Sequence, residues 1–357
     1  MNNINVFKDY YKRTKDKIDK KIEEFNKDLV KDNNALIKDN LKLFSNLNSD
    51  GKIVRGTLVN LGYYLLKDDS DYSIDLSLAY EVFQTAILVH DDIIDNDNKR
   101  RGKETVHYAN YNKYLEYGED QERKHLGNSI AICIGDYGLY KANQIIIDAY
   151  KNDNNLAKVV TNFNNTVLTT IRGELIDVIL PFQGKNNLIN NKDIEDNIME
   201  IYRLKTSHYT IIGPLSVGIL LAGGDEKKLK DIEKFGEKVG IAFQIQDDII
   251  GIYSNETGKV KGTDIKEFKQ TILYSHIINT EYKDEIMKYY GNNDLSENTI
   301  KKVQDLFKKS KSYDYTLNKM NTMYDESIEI LNNITWIKED KKDILKGFVE
   351  YLRNRNK

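Results

Sequence analysis

A single cysteine, Cys133, stands in 357 residues, so neither a disulfide framework nor a thiolate zinc site can be assembled within the chain. Proline is almost as scarce, with only Pro181 and Pro214, which leaves long stretches free to run as unbroken helix. Charge of neither sign dominates. The 53 lysines and arginines are nearly balanced by 56 acids, for a net charge of -3, and they are interspersed rather than massed in a tail. That balance gives no bulk attraction for nucleic acid, which is disfavoured as a partner on this ground. No apolar run reaches the length of a membrane span, since the longest, 211–224, is interrupted by Gly213, Pro214 and Gly218. The opening residues MNNINVFKDYYKRTKDK carry no apolar leader core, and a cytoplasmic protein without transmembrane segments is expected.

What the chain does have is helical periodicity. Phe7, Tyr11, Ile18, Ile22, Phe25 and Leu29 recur at helical spacing, and comparable apolar stripes follow. With 40% hydrophobic residues and no compositional break, the reading is one all-α domain over 1–357. Polar clusters at 67–71, 152–155, 184–191, 254–262 and 291–298 are the expected connections. The 24 tyrosines read more simply as amphipathic packing than as a stacking platform.

One tetrapeptide recurs: DDII lies at 91–94 within LVHDDIID and at 247–250 within FQIQDDIIG. On a helix Asp91 and Asp95 fall one turn apart on the same face, and unpaired carboxylates there raise one another's pKa. A solvated helix end is the bland account of one such cluster. A hard cation is the chemical account of two, because magnesium takes carboxylate oxygens together with substrate phosphates. Basic pairs flank the first cluster. Arg100 and Arg101 follow it directly ahead of Gly102, and Lys52 and Arg55 stand near one another after Gly51. Guanidinium and ammonium groups at such spacing suit diphosphates, one held through metal and the other directly.

In this order the motifs resemble the trans-isoprenyl diphosphate synthases, the polyprenyl synthetase family. The resemblance runs over GKxxR at 51–55, DDxxD with RRGxxTxH at 91–107, IGD at 134–136, KT at 205–206, FQxxDD at 243–248 and GKxxGTD at 258–264. It implies a bundle of long helices around a central cavity, usually homodimeric. It also implies that isopentenyl diphosphate is joined to an allylic diphosphate that three magnesium ions bind between the aspartate motifs. By the same resemblance Asp91, Asp95 and Asp247 are metal ligands, with Asp92 and Asp248 supporting them. Arg100, Lys205 and Lys259 hold the leaving diphosphate. Lys52, Arg55 and Arg101, helped by Gln84 where many relatives carry histidine, hold isopentenyl diphosphate. Thr206 and Gln244 line the path of the cation, and Asp264 and Lys269 occupy a supporting position.

Three departures from the family pattern bear on the site. Gly251 replaces a third aspartate in the second motif and removes a carboxylate. Asp50 and Gly56 replace a glycine and a proline around GKxxR, which predicts a looser loop there. Glu104 stands in place of a proline. Product length is set, in the resemblance, by the residues before DDxxD. Ala86 is small, Ile87 adjoins it and Phe83 lies a turn further back, predicting geranylgeranyl diphosphate or a longer product. Three alternatives stand beside this reading. A His–Asp phosphohydrolase needs a histidine ligand before His90, and none of the five histidines precedes it. A terpene cyclase of the same helical class would have no use for a second diphosphate grip. A silent subunit of a prenyl synthase has Gly251 as its one hint. His90 itself reads as packing, as does Gly135, and the basic tail FVEYLRNRNK reads either as a neighbour of the active-site mouth or as solvated chain.

Overall fold

The computed structural model describes residues 3–68, 70–186, 188–254, 261–294 and 296–355. The fold is all-α, as the periodicity predicts. The helices are α1 (Asn3–Leu29), α2 (Ala35–Asn48), α3 (Val54–Tyr64), α4 (Ile74–Ile94), α5 (Val106–Lys113), α6 (Asp120–Tyr150), α7 (Leu156–Lys185) and α8 (Asn191–Ile201). After a π-helical stretch, Tyr202–Ile212, come α9 (Gly213–Leu221), α10 (Glu226–Tyr253), α11 (Thr263–Lys266), α12 (Ile272–Ile277), α13 (Lys283–Ile286), α14 (Glu297–Lys309), α15 (Ser312–Asn333) and α16 (Glu339–Arg353). The predicted connections within the described residues fall between these helices, except that 184–185 still belong to α7, 191 opens α8 and 297–298 open α14. Both prolines lie inside helices, Pro181 near the end of α7 and Pro214 in the first turn of α9.

The chain divides into two compact units. One comprises Asp9–Asn162 with Pro214–Asp225, and is called the N-terminal unit below. Its centre is α4, which packs along α6 and against α2 and α3. Val82, Phe83, Ala86 and Val89 on α4 are almost entirely buried, and so are Ala131 and Ala142 on α6. Gly135 is required for that packing. A Cβ there would lie 2.2 Å from the His90 ring, whose Nε2 sits 3.4 Å from Asp136. His90 is thus a packing residue, as read from the sequence.

The other unit comprises Met1–Lys8, Phe163–Gly213 and Glu226–Lys357. Here α10 packs against α15 and the π-helical stretch. Phe7 at the start of α1 stacks on Phe348 and Tyr351 of α16, with ring centroids 5.2 and 5.4 Å away. Phe235, Val239, Ala242 and Ile245 supply the buried stripe of α10, a spacing of three to four residues.

One element was not expected from the sequence. Residues 99–104 form a small antiparallel hairpin, β1 (Lys99–Arg100) and β2 (Lys103–Glu104), with Arg100 opposite Lys103. Its turn residues, Arg101 and Gly102, both have positive φ, at 52° and 78°. Two consecutive residues of that kind make the turn whose twist suits a two-residue hairpin. Glycine takes the conformation at no cost, whereas Arg101 is held there against its intrinsic preference.

Candidate active site

The first acidic cluster lies at the C-terminal end of α4. Asp91 and Asp95 are one turn apart, with the backbone N–H of Asp95 donating to the carbonyl of Asp91 at 2.8 Å. Asp92 turns the other way and is buried. The hairpin explains how it is tolerated: Arg100 donates through Nε to Asp92, and its Nη2 lies 3.4 Å from Asp91 and 3.6 Å from Asp97. Burial nevertheless pushes the Asp92 carboxyl up to about 7, against the pull of Arg100. Its Oδ2 has no hydrogen-bond partner among the described residues. A buried carboxylate oxygen with no donor among the described residues is costly to the fold.

The same unit gathers the basic residues. Arg101 donates to the Leu47 carbonyl at 3.4 Å, and burial, followed by the neighbouring charges of Arg100 and Arg55, holds its pKa below the ordinary guanidinium value. Lys52 is exposed, with its carbonyl accepting from the Tyr11 phenol, and Arg55 is half-buried in the first turn of α3. Gln84 is half-buried on α4. Of the expected chain-length residues, Phe83 and Ala86 are fully buried, while Ile87 is partly accessible. Ala86 packs against α6 where a Cβ on Gly138 would meet the Ala86 methyl at 2.8 Å and the Phe44 ring at 2.7 Å.

The second cluster lies in the other unit, near the end of α10. Four side chains connect α10 to the π-helical stretch. Thr206 donates to Gln244 Oε1 at 2.7 Å, Gln244 Nε2 donates to Asp248 Oδ1 at 2.9 Å, and the Tyr202 phenol donates to Asp248 Oδ2. This chain fixes the Gln244 amide and orients Asp248. Burial, then the neighbouring charge of Asp264, pushes the Asp248 carboxyl up to about 8. Asp247 points the other way and is more accessible. Arg355, in the basic tail, sets its guanidinium on the Asp247 carboxylate and over the Phe243 ring at 4.6 Å. The tail is therefore docked on the second motif, its backbone held by Gln246 Nε2 donating to the Arg353 and Arg355 carbonyls at 3.2 and 2.8 Å.

Lys205, expected on a diphosphate, has its ammonium 2.7 Å from both Glu174 and Asp177 of α7. Sequence reading passed over those two acids; the signal was GELID at 173–177, which puts two carboxylates three residues apart on a helix. Asp264 faces Gly251, where an added Cβ would lie 3.4 Å from Asp264 Oδ2. The space left by the absent third aspartate is thus met by a carboxylate from α11. Lys269 lies 3.6 Å from Glu267. Lys259 lies outside the described residues.

Among the described residues no three carboxylate, imidazole or thiol groups converge as a preformed metal site. Asp91 and Asp95 each offer a carboxylate on one face of α4, while Asp92 is turned inward and held by Arg100. That donor set fits magnesium, a hard ion usually bound by one or two carboxylates and completed by water and substrate phosphate.

The chain is thus all-α, with one acidic cluster at the end of α4 and another near the end of α10. The polyprenyl synthetase family model matches residues 40–307, and the chain belongs to that family. It is 29% identical to the geranylgeranyl diphosphate synthase of Sulfolobus acidocaldarius over 87% of this chain and 88% of that protein. It is 26% identical to the geranylfarnesyl diphosphate synthase of Aeropyrum pernix over 80% and 83%. A crystal structure of geranylgeranyl pyrophosphate synthase from Corynebacterium glutamicum, complexed with isoprenyl diphosphate and magnesium, superposes with a TM-score of 0.85 at 23% identity, covering 98% and 99% of the two chains.

Proposed function

We propose that this chain condenses an allylic diphosphate with isopentenyl diphosphate, head to tail and in the trans sense, to give a longer linear prenyl diphosphate of geranylgeranyl length or more. The observation that carries the reading, beside family membership, is the N-terminal unit's gathering of Arg55, Arg100 and Arg101 close enough for their charges to bear on one another. Arg100 is already met by Asp91, Asp92 and Asp97, and a guanidinium set so placed suits a polyanionic ligand beside them. A second diphosphate is what a cyclase would lack.

The reaction breaks the allylic C–O bond, and its electron pair leaves with inorganic diphosphate. The isopentenyl double bond supplies the electrons of the new C–C bond, and loss of a proton regenerates an allylic double bond. The residues that would hold magnesium are Asp91, Asp95 and Asp247, three ions per site on the family pattern; when bound, the metal neutralises the leaving diphosphate. Lys205, Arg100 and Lys259 add positive charge to the leaving group. Thr206 and Gln244 present fixed oxygen dipoles toward developing positive charge, an arrangement that costs no reorganisation at the moment of reaction. Lys52, Arg55, Arg101 and Gln84 hold isopentenyl diphosphate, with Lys269 and Asp264 in support.

The whole chain acts as one prenyl synthase domain, and as a homodimer. On α7, Leu168, Ile171, Leu175, Val178 and Phe182 form an exposed stripe at spacings of three and four, with Phe182 66% accessible. An apolar stripe of that length on a protein surface marks an interaction face. No helix among the described residues is long and apolar enough to cross a membrane. Together with a single cysteine, this supports placement in the cytoplasm.

The test is incubation of the purified chain with magnesium, labelled isopentenyl diphosphate and each allylic primer in turn, followed by sizing of the dephosphorylated products. Linear alcohols longer than the primer are expected. Cyclic products, or no incorporation with any primer, would overturn the reading, and light scattering checks the dimer.

A further inference from the structure

Helix α3 begins without a cap of its own. Its N-cap, Ile53, adopts a left-handed conformation (φ 53°) and has no side-chain oxygen to answer the free N–H groups of the first turn. The acceptor comes from another helix. Glu81 of α4 extends its carboxylate to the Gly56 backbone N–H, with Oε1 at 2.7 Å. The loop closes tightly around it: an added Cβ would lie 3.4 Å from Glu81 Oε2 at Gly51, and 3.2 Å from Glu81 Cγ at Gly56.

Glu81 is only 3% exposed, an expensive place for a carboxylate unless hydrogen bonds and counter-charges compensate it. Burial pushes its pKa up, while the Gly56 N–H and the charges of Arg55, Arg101 and Lys15 pull it down. Two of those cations belong to the basic set of this unit. The donor also depends on a departure from the family pattern: a proline at position 56 would have no N–H to give. The loop that the sequence predicts to be loose is tied down at that residue.

We propose that Glu81 is a positioning residue for the isopentenyl diphosphate grip, holding the 51–56 loop through the Gly56 N–H and keeping Arg55 and Arg101 gathered beside it. The inference rests on the prenyl-transfer reading above. Glu81 touches neither substrate. It acts by fixing where the cations stand, so its loss registers on the affinity for one substrate rather than on the chemical step.

The experiment measures KM for each diphosphate, and kcat, in the wild type, Glu81→Ala and Glu81→Gln, with thermal unfolding as a folding control. Glu81→Ala should raise KM for isopentenyl diphosphate about ten- to a hundredfold, comparable to one charge-assisted contact, with kcat and the allylic KM within about threefold. Glu81→Gln keeps the oxygen acceptor and loses only the charge, so it should recover most of the affinity, leaving a rise of about three- to tenfold. An unchanged isopentenyl KM in both variants overturns the inference, as does an equal rise for both substrates. Should Glu81→Ala fail to fold, Glu81→Gln alone decides, by a selective rise or its absence. A wild type that makes no product would instead refute prenyl transfer itself, and the two failures are distinct.

Discussion

Removing the Lys205 ammonium tests the assignment of the leaving-group site most directly. Its Nζ lies 2.7 Å from both Glu174 and Asp177, and the three side chains are 22%, 19% and 22% exposed. In Lys205→Ala two consequences add. One charge-assisted contact to the leaving diphosphate is lost, worth about 1.5–3 kcal/mol. Glu174 and Asp177 also keep their charge without that cation, and their field then opposes an incoming polyanion. At about 1.4 kcal/mol per factor of ten, the first effect alone lowers kcat/KM for the allylic diphosphate roughly 10- to 150-fold, and the second adds to the loss. KM for isopentenyl diphosphate should stay within about threefold, because Lys205 is assigned to the other diphosphate. The assay is initial-rate incorporation of labelled isopentenyl diphosphate, each substrate varied at saturation of the other. Glu174→Gln is the control: it leaves one carboxylate on Lys205, frees the ammonium in part and should not lower allylic kcat/KM. A loss under threefold in Lys205→Ala, or equal rises in both KM values, would refute the assignment.

Arg355→Ala removes a cation from Asp247, a pair that is 18% and 36% exposed, so the effect is modest. The magnesium concentration needed for half-maximal binding of diphosphate, read by calorimetry, should fall about two- to fivefold, and a rise would contradict the contact. Ala86→Phe forces a ring into the packed junction with Gly138 and Phe44, and should lower stability by about 1–3 kcal/mol in urea titration without shortening the product. Ile87→Phe, on an accessible face, should shorten it; the reverse pattern would place the floor of the cavity at Ala86. Glu195 accepts from Lys319 at 2.6 Å and Tyr315 at 2.8 Å, and although burial raises its pKa, these contacts outweigh it and hold the carboxyl below the ordinary value. A depressed native pKa means that the native state binds fewer protons. The stability this contributes is present above the unfolded value of about 4.3 and is lost as pH falls through the native value. Glu195→Gln should therefore cost about 1 kcal/mol at pH 7 and less at pH 3.5, whereas an equal cost at both would show that charge is not the cause.

The acidic clusters were legible because a helix turns a spacing of four into a shared face, and α4 and α10 carry their periodicity over many turns. The hairpin at 99–104 was not, since two-residue strands are too short to show a period; only the glycine after two arginines hinted at a turn. Glu174 and Asp177 went unread because they lie thirty residues from the lysine they engage, and nothing in a single sequence pairs them. The π-helical stretch escaped for a similar reason, as its wider turn has no residue signature comparable to a cap. Counting back from Asp91 gives distance along the helix but not direction. At about 100° per residue, Ile87, Leu88 and Gln84 come within roughly 60° of the Asp91 face, whereas Ala86 is rotated about 140° from it. Gln84, Ile87, Leu88 and Asp91 are all partly accessible, as is His90, whereas Ala86 is buried.

The two glycine departures share a physical logic that a comparison of motifs inverts. Read against the family pattern, Gly56 costs the loop a rigid proline and Gly251 costs the second motif a carboxylate. In three dimensions each glycine is met by an acid from another element: Glu81 of α4 takes the Gly56 N–H, and Asp264 of α11 stands 3.4 Å from where a Gly251 Cβ would be. A side chain at position 251 would come into van der Waals contact with that carboxylate, and a proline at 56 would withdraw the donor that Glu81 requires. Such positions are coupled, so restoring the family residue at either one should disturb the site rather than improve it.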